Sequence, residues 1–189
     1  MPDMAQEDIT LAVSPLLHGL DELPVPVERI ANEKLHIELI WESFPEEPDL
    51  SGMLVRQGSR AFIAVNAAQS VTRQRFTIAH EIGHYLLDEV RPIWVDKNIR
   101  PIQVSFRRGS GGTPRSYQWP EVRANRFAAE LLMPTKWVKH EFAALDSTGV
   151  DWSDEEPIRL LADRFGASLQ AMVIRLLELR LLLETGAPE

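Results

Sequence analysis

The stretch VTRQRFTIAHEIGHYLL, residues 71–87, decides how the rest of the chain is interpreted. Its apolar residues recur at helical spacing, which predicts one continuous helix with Ser70 or Thr72 as the N-cap. Side chains four residues apart in a helix lie about 40° apart around its axis and share a face. His80 and His84 therefore present two imidazoles side by side, which suits two neighbouring positions of tetrahedral zinc.

The residues between and around the histidines fit the same interpretation. Glu81 lies about 100° around the helix from His80, where a general base can reach a water at the metal. Gly83 leaves one flank of the helix bare, so that another backbone or a substrate can approach. Three apolar residues on the opposite side are expected to anchor the helix in the core: Ile78, Ile82 and Leu86. The H-E-x-x-H pattern alone can also arise by chance on a surface helix, so the rest of the site must come from elsewhere in the chain.

A catalytic zinc site of this type needs a third protein ligand and one open position. The acids downstream of the histidines include Asp88, Glu89, Asp96, Glu121 and Glu130. Asp88 continues the same helix, and three ligands along one straight helix cannot surround a metal.

A second helix is predicted to begin at Pro120 and to stop before Pro134. Glu121 and Asn125 are the polar residues on its apolar, inward-facing stripe, whereas Glu130 is predicted to face solvent. A buried carboxylate is costly unless it is paired or binds a metal, which favours Glu121 as the third ligand. Asn125, one turn on, can hold the other ring nitrogen of a zinc histidine. The alternative is that Glu121 only complements the dipole at the start of the helix.

The remaining pattern predicts an α+β fold. A small three-stranded or larger antiparallel or mixed sheet packs on the H-E-x-x-H helix and on the glutamate-bearing helix. The predicted strands are 36–41, 53–57 and 61–66, with Gly58-Ser59 as a hairpin turn, and short strands at 93–95 and 103–106. The other predicted helices are 27–35, 135–145, 158–165 and 168–183. We expect a loosely attached N-terminal arm (1–24), a zinc metallopeptidase-like domain (25–145) and a C-terminal helical, helix-turn-helix-like subdomain (157–189).

The composition and charge of the chain exclude or disfavour several classes of function. The chain has 189 residues, a formal charge of −8 and no cysteine, which excludes thiolate ligands and a cysteine nucleophile. The start, MPDMAQEDIT, lacks the basic and apolar runs of a signal peptide, and no apolar stretch is long enough to span a bilayer. We therefore expect a cytoplasmic protein without a membrane segment. The acidic charge argues against direct nucleic-acid binding, although six arginines cluster between residues 100 and 126: Arg100, Arg107, Arg108, Arg115, Arg123 and Arg126.

Two separate motifs carry a resemblance to a known family. Residues 73–79, RQRFTIA, lead into the histidine motif, and residues 121–134 read EVRANRFAAELLMP. Together they resemble the ImmA/IrrE family of metallopeptidases, over roughly residues 25–183. The resemblance implies a gluzincin-like core with Zn2+ as cofactor. It also implies that His80, His84 and Glu121 are the metal ligands and that Glu81 is the catalytic glutamate.

The resemblance further implies a regulatory role. Members of the family typically cleave a helix-turn-helix transcriptional repressor, or relieve repression by it, in mobile-element induction, stress response or toxin–antitoxin pairs. This chain has room for neither an added DNA-binding domain nor a sensor domain, so we expect the stand-alone form. Two alternatives stay open: a zinc-bound regulator that sequesters a repressor without cutting it, and the toxin component of a toxin–antitoxin pair.

Two further hypotheses concern the rest of the chain. The spacing of Ala162, Gly166 and Met172 matches a helix-turn-helix, but the second helix is mostly apolar and carries few residues that could contact bases. A helical subdomain that caps the peptidase or docks a partner is the better interpretation. The residue that stabilises the oxyanion is not identifiable, and the candidates are Arg115, Tyr117 and His140.

Overall fold

The computed structural model describes residues 4–47, 49–88, 93–96 and 119–182. The helices within these residues are α1 (Met4–Leu17), α2 (Val27–Arg29, continued by the π-helical turn Ile30–Lys34), α3 (Val71–Leu87), α4 (Trp119–Leu132), α5 (Thr135–Asp146), α6 (Glu155–Phe165) and α7 (Leu169–Glu178). The strands are β1 (Ile37–Glu42), β2 (Gly52–Gln57), β3 (Arg60–Asn66) and β4 (Ile93–Asp96). The predicted strand at 103–106, and the arginines at 100, 107, 108 and 115, lie outside the described residues.

The four strands form one mixed sheet in the order β1-β3-β2-β4. β1 runs parallel to β3, with Ile37 opposite Ala61, whereas β2 is antiparallel to both β3 and β4. The β2–β3 hairpin turns at Gly58, whose φ of +61° is accessible to glycine at little cost. The predicted α+β fold with a mixed sheet is therefore confirmed.

Helix α3 has the predicted bounds and the predicted N-cap. The hydroxyl of Ser70 accepts a hydrogen bond from the backbone N–H of Arg73 at 3.4 Å. Ile78 and Ile82 are buried as expected, but Leu86 is 38% exposed, so its predicted role as a core anchor is wrong. In the last turn of α3 it is Tyr85 and Leu87 that pack against the hydrophobic core, while Leu86 is left exposed.

Gly83 is the point at which α4 approaches α3. A Cβ atom added to Gly83 would lie 3.1 Å from the Cα of Ala124 and 3.2 Å from Cδ1 of Phe127. Since both contacts are tighter than ordinary packing, only glycine lets the two helices come this close. The approach places the first turn of α4, which carries Glu121, beside the histidine face of α3.

Gly83→Ala is therefore expected to destabilise the protein. The added methyl group must push α4 away from α3, and overpacking of this kind lowers the free energy of unfolding by about 1–3 kcal/mol. At a helix position with open space, the same exchange stabilises by about 1 kcal/mol. Urea unfolding of the metal-free protein measures whether the substitution lowers or raises the free energy of unfolding. Ala144→Gly, on the exposed side of α5, is the control that measures how much an alanine–glycine exchange changes stability without packing contacts. A Gly83→Ala variant more stable than wild type would contradict the packing argument.

The prediction of a loosely attached N-terminal arm is wrong for residues 4–17. They form α1, whose Ile9, Val13 and Leu16 are buried in the main hydrophobic core, and α1 packs against α4. These residues recur at the spacing of one helical stripe, and that spacing is a signal available in the sequence. The division of the chain into three parts stays a prediction, but the cores of α6 and α7 belong to the same hydrophobic cluster as the sheet and α3.

Glu130 does not face solvent as predicted. It is 5% exposed and forms an ion pair with the buried Arg175 of α7. Its carboxylate also accepts hydrogen bonds from the backbone N–H and the hydroxyl of Thr135, at 3.1 and 2.9 Å. The helical wheel of α4 could not show this partner, because Arg175 follows 45 residues later in the chain. The pair joins α7 to the junction of α4 and α5.

None of the described helices combines the length and the apolar character needed to cross a membrane.

Candidate metal centre

Two helices bring the three predicted ligand side chains together. His80 and His84 lie on α3 and are buried, whereas the side chain of Glu121, on the first turn of α4, is 38% exposed. The two Nε2 atoms are 2.9 Å apart. Oε2 of Glu121 lies 3.4 Å from Nε2 of His80, and Oε1 lies 3.4 Å from Nε2 of His84. One ligand atom from each residue thus lies within 4.8 Å of the others.

These separations fit a single metal ion. Ligand atoms about 2.0–2.1 Å from a tetrahedral ion are about 3.3–3.4 Å apart. The two histidine–glutamate distances, each to a different oxygen of Glu121, match this value, whereas the two Nε2 atoms, at 2.9 Å, lie closer together. Two imidazole nitrogens and a carboxylate oxygen form a donor set suited to a divalent transition metal, with the exposed side of Glu121 towards solvent.

The far nitrogen of each imidazole contacts an oxygen atom. Nδ1 of His80 lies 3.0 Å from Oδ1 of Asn125, and Nδ1 of His84 lies 2.5 Å from Oδ2 of Asp88. An oxygen acceptor at Nδ1 places the ring proton there and leaves Nε2 as the metal-ligating nitrogen. The contact of Asn125 is the one predicted from the sequence. Asp88 is excluded as a third ligand on the same straight helix, but its position four residues after His84 is also the spacing for a supporting hydrogen bond.

Burial and hydrogen bonding act in opposite directions on the ionisable groups of the cluster. Burial works to raise the pKa of Glu121, but hydrogen bonds to His80 and His84 and their charges outweigh it and hold this pKa far below its usual range. Burial works to lower the pKa of His84, but hydrogen bonds to Asp88 and Glu121 outweigh it and raise this pKa. Because a proton competes with a metal for the imidazole nitrogen, metal affinity should fall as the pH drops through the raised pKa of His84.

Glu81 is fully buried in the middle of α3. Its negative charge contributes to the raised pKa of His84, so it is electrostatically linked to the cluster. Burial of a carboxylate is costly, and a buried glutamate between two candidate metal ligands on one helix is typical of a functional group. Of the oxyanion candidates, Arg115 and Tyr117 lie outside the described residues; His140 is exposed on α5, and its role stays a prediction.

The hydrogen bonds at Nδ1 lead to a prediction about metal affinity. Asp88→Asn and Asn125→Leu are each expected to weaken zinc binding about 10-fold, since outer partners orient the imidazole and raise its basicity. Competition with a chromophoric chelator measures the affinity. Asp163→Asn, exposed on α6, is the matched control. Equal affinities in all three variants would show that these hydrogen bonds do not support the ligands.

Fold and site together define the class of protein. A small mixed sheet carries two helices that bring an H-E-x-x-H pair of histidines and a glutamate to one point, which is the architecture of a metallopeptidase. The family model of the IrrE N-terminal-like domain, peptidase M78, matches residues 32–177. The chain belongs to this family, in agreement with the resemblance seen in its motifs. No curated protein sequence matches the chain.

Proposed function

We propose that this protein is a zinc-dependent endopeptidase that hydrolyses a peptide bond in a partner protein. The observation that carries the proposal is the convergence of His80, His84 and Glu121, with the buried Glu81 on the same helix as the histidines. Membership of a peptidase family supports this class of reaction.

His80, His84 and Glu121 would hold the metal. Three protein ligands leave a fourth position open, which distinguishes a catalytic zinc site from a structural one. When bound, zinc lowers the pKa of water to about 7 and polarises a carbonyl group. Two histidines and one glutamate with an open fourth position are a donor set found in catalytic zinc sites, and zinc is therefore the ion that we propose.

Glu81 would act as the general base and then as the general acid. Its carboxylate takes a proton from the attacking water while the water oxygen bonds to the scissile carbonyl carbon. The C–N bond then breaks, and Glu81 passes the proton to the departing amine nitrogen. Asn125 and Asp88 keep the two imidazoles oriented during these steps, through the contacts at 3.0 and 2.5 Å.

The partner we propose is a helix-turn-helix transcriptional repressor or an antitoxin, whose cleavage relieves repression. This part of the proposal rests on the resemblance to the ImmA/IrrE family. Sequestration of a repressor would use the same fold without this hydrolysis, and a toxin would use it on a broader or non-peptide target.

Metal removal tests the proposal with the wild-type protein. The probe is any helix-turn-helix protein that proves to be encoded beside this chain. Intact-mass spectrometry detects two fragments whose masses sum to that protein plus one water. Incubation with a chelator is expected to stop cleavage, and added zinc is expected to restore it, because the chemistry needs the metal. Cleavage that continues at full rate in the metal-free protein would overturn the proposal.

A further inference from the structure

The last turn of α3 is tied to the sheet by one arginine. Nη2 of Arg56, near the end of β2, donates hydrogen bonds to the carbonyl oxygens of Tyr85 at 2.7 Å and of His84 at 3.4 Å. The last carbonyl groups of a helix have no partner further along the helix. Arg56 supplies such a partner to the carbonyl oxygen of Tyr85, from a strand position 29 residues earlier in the chain.

A second contact holds the guanidinium in place. Its carbon atom lies 4.6 Å from the centre of the Tyr85 ring, over the ring face. A cation in this position is attracted to the aromatic ring and also to the negative end of the helix dipole. The backbone of Arg56 is paired with Ala61 of β3, and the residues of β2 that precede it, Gly52–Val55, also pair with β4.

The same turn carries one of the three proposed metal ligands. His84 lies in it, and Asp88 follows its last residue with extended backbone angles, φ −105° and ψ 159°. The backbone N–H of Asp88 donates to the carbonyl oxygen of His84 at 3.3 Å. With α3 ending at Leu87, the carboxylate of Asp88 lies 2.5 Å from Nδ1 of His84.

We propose that Arg56 is a positioning residue for the metal centre: by fixing the last turn of α3 to the sheet, it holds His84 and its partner Asp88 in place. Arg56 acts through the backbone of Tyr85 and His84, not on the metal or the substrate. The inference rests on the metal site of the proposed function but not on the identity of the substrate.

The full-length variants Arg56→Met, Arg56→Lys and Arg60→Met test this role. Arg60 is the matched control, because it also stacks on an aromatic ring, that of Phe62 at 4.8 Å, and pairs with a carboxylate, that of Glu38 at 3.0 Å. Zinc affinity is measured by competition with a chromophoric chelator. The visible absorption spectrum of the cobalt(II)-loaded protein reports the arrangement of the ligands, and urea unfolding of the metal-free protein reports stability separately.

We expect Arg56→Met to lower zinc affinity about 10-fold and to change the cobalt spectrum, as loss of a group that orients a ligand does. Arg56→Lys keeps the charge but loses the planar fork, so its affinity should fall between wild type and Arg56→Met. Arg60→Met should match wild type in both readouts.

The inference would be overturned if Arg56→Met had the same zinc affinity and cobalt spectrum as Arg60→Met. If Arg56→Met does not fold, Arg56→Lys is measured in its place. The same affinity and spectrum in Arg56→Lys as in Arg60→Met would overturn the inference equally. A wild-type protein that binds no zinc would instead refute the proposed metal site itself, so the two failures are distinguishable.

Discussion

Glu81→Gln is expected to lower the rate of peptide-bond hydrolysis about 1,000-fold, because an amide cannot take the proton from water as a carboxylate can. Glutamine keeps the size and shape of the buried side chain, so the fold should persist. Zinc content should stay near that of wild type, since Glu81 is not among the residues that converge on the metal position. Cleavage of the same candidate substrate, followed by intact-mass spectrometry, measures the rate.

Glu141→Gln is the control for this substitution. Glu141 lies on α5, is largely buried and pairs with Arg164 at 2.9 Å, so its replacement removes a carboxylate outside the proposed machinery. Hydrolysis by this variant should equal that of wild type. Full activity of Glu81→Gln would exclude Glu81 as the base.

A reporter gene under the repressor separates cleavage from sequestration. Glu81→Gln should fail to relieve repression if hydrolysis is the mechanism. Full relief by Glu81→Gln, with metal bound, would favour the non-cleaving regulator. Growth arrest caused by the wild-type protein and rescued by a co-encoded partner would favour the toxin.

Glu121→Ala is expected to reduce zinc affinity by at least about 100-fold, more than the loss of an outer hydrogen-bond partner, which costs about 10–100-fold. The substitution leaves two imidazoles of a single helix, and these cannot surround a metal ion alone. It also removes the carboxylate that lies 3.4 Å from both Nε2 atoms. Chelator competition gives the affinity, and elemental analysis of the purified variant gives the occupancy.

The alternative role of Glu121 predicts a different result. A glutamate that only complements the helix dipole contributes about 0.3–1 kcal/mol to stability and nothing to metal binding. Full zinc occupancy in Glu121→Ala, together with a small loss of stability, would therefore overturn the ligand assignment. Glu141→Ala provides the matched loss of a carboxylate elsewhere in the fold.

Much of the fold could be predicted because its elements have clear periodicity and clear ends. α3 begins and ends at the predicted residues. β2 and β3 each begin one residue before the predicted start, and β1 is shifted by one residue at both ends. The parallel pairing of β1 with β3 was not predictable, because it joins strands separated by another strand in sequence. Helix α1 was missed as part of the core, since its stripe of Ile9, Val13 and Leu16 is short and precedes a proline-rich segment.

Part of the candidate site was also predictable from the helical periodicity of the sequence. His80 and His84 share a helix face whatever the rest of the chain does, and Glu121 with Asn125 stood out as polar residues on an apolar stripe. The roles of Glu130 and Asp88 were not predicted. Glu130 has its partner, Arg175, on a helix that follows much later, and the position of Asp88 depends on where α3 ends.

The sequence by itself determined the helix that carries His80, Glu81 and His84, because helical geometry sets the angle between residues a few positions apart. It also determined the chemistry that these residue types can perform at a metal. Only the tertiary structure decided that Glu121 reaches the two imidazoles, because that depends on how closely α4 packs on α3 at Gly83. The hydrogen bonds of Arg56 to the end of α3 were decided in the same way. Distances between segments far apart in sequence are set by the packing of the whole core, and no local pattern encodes them.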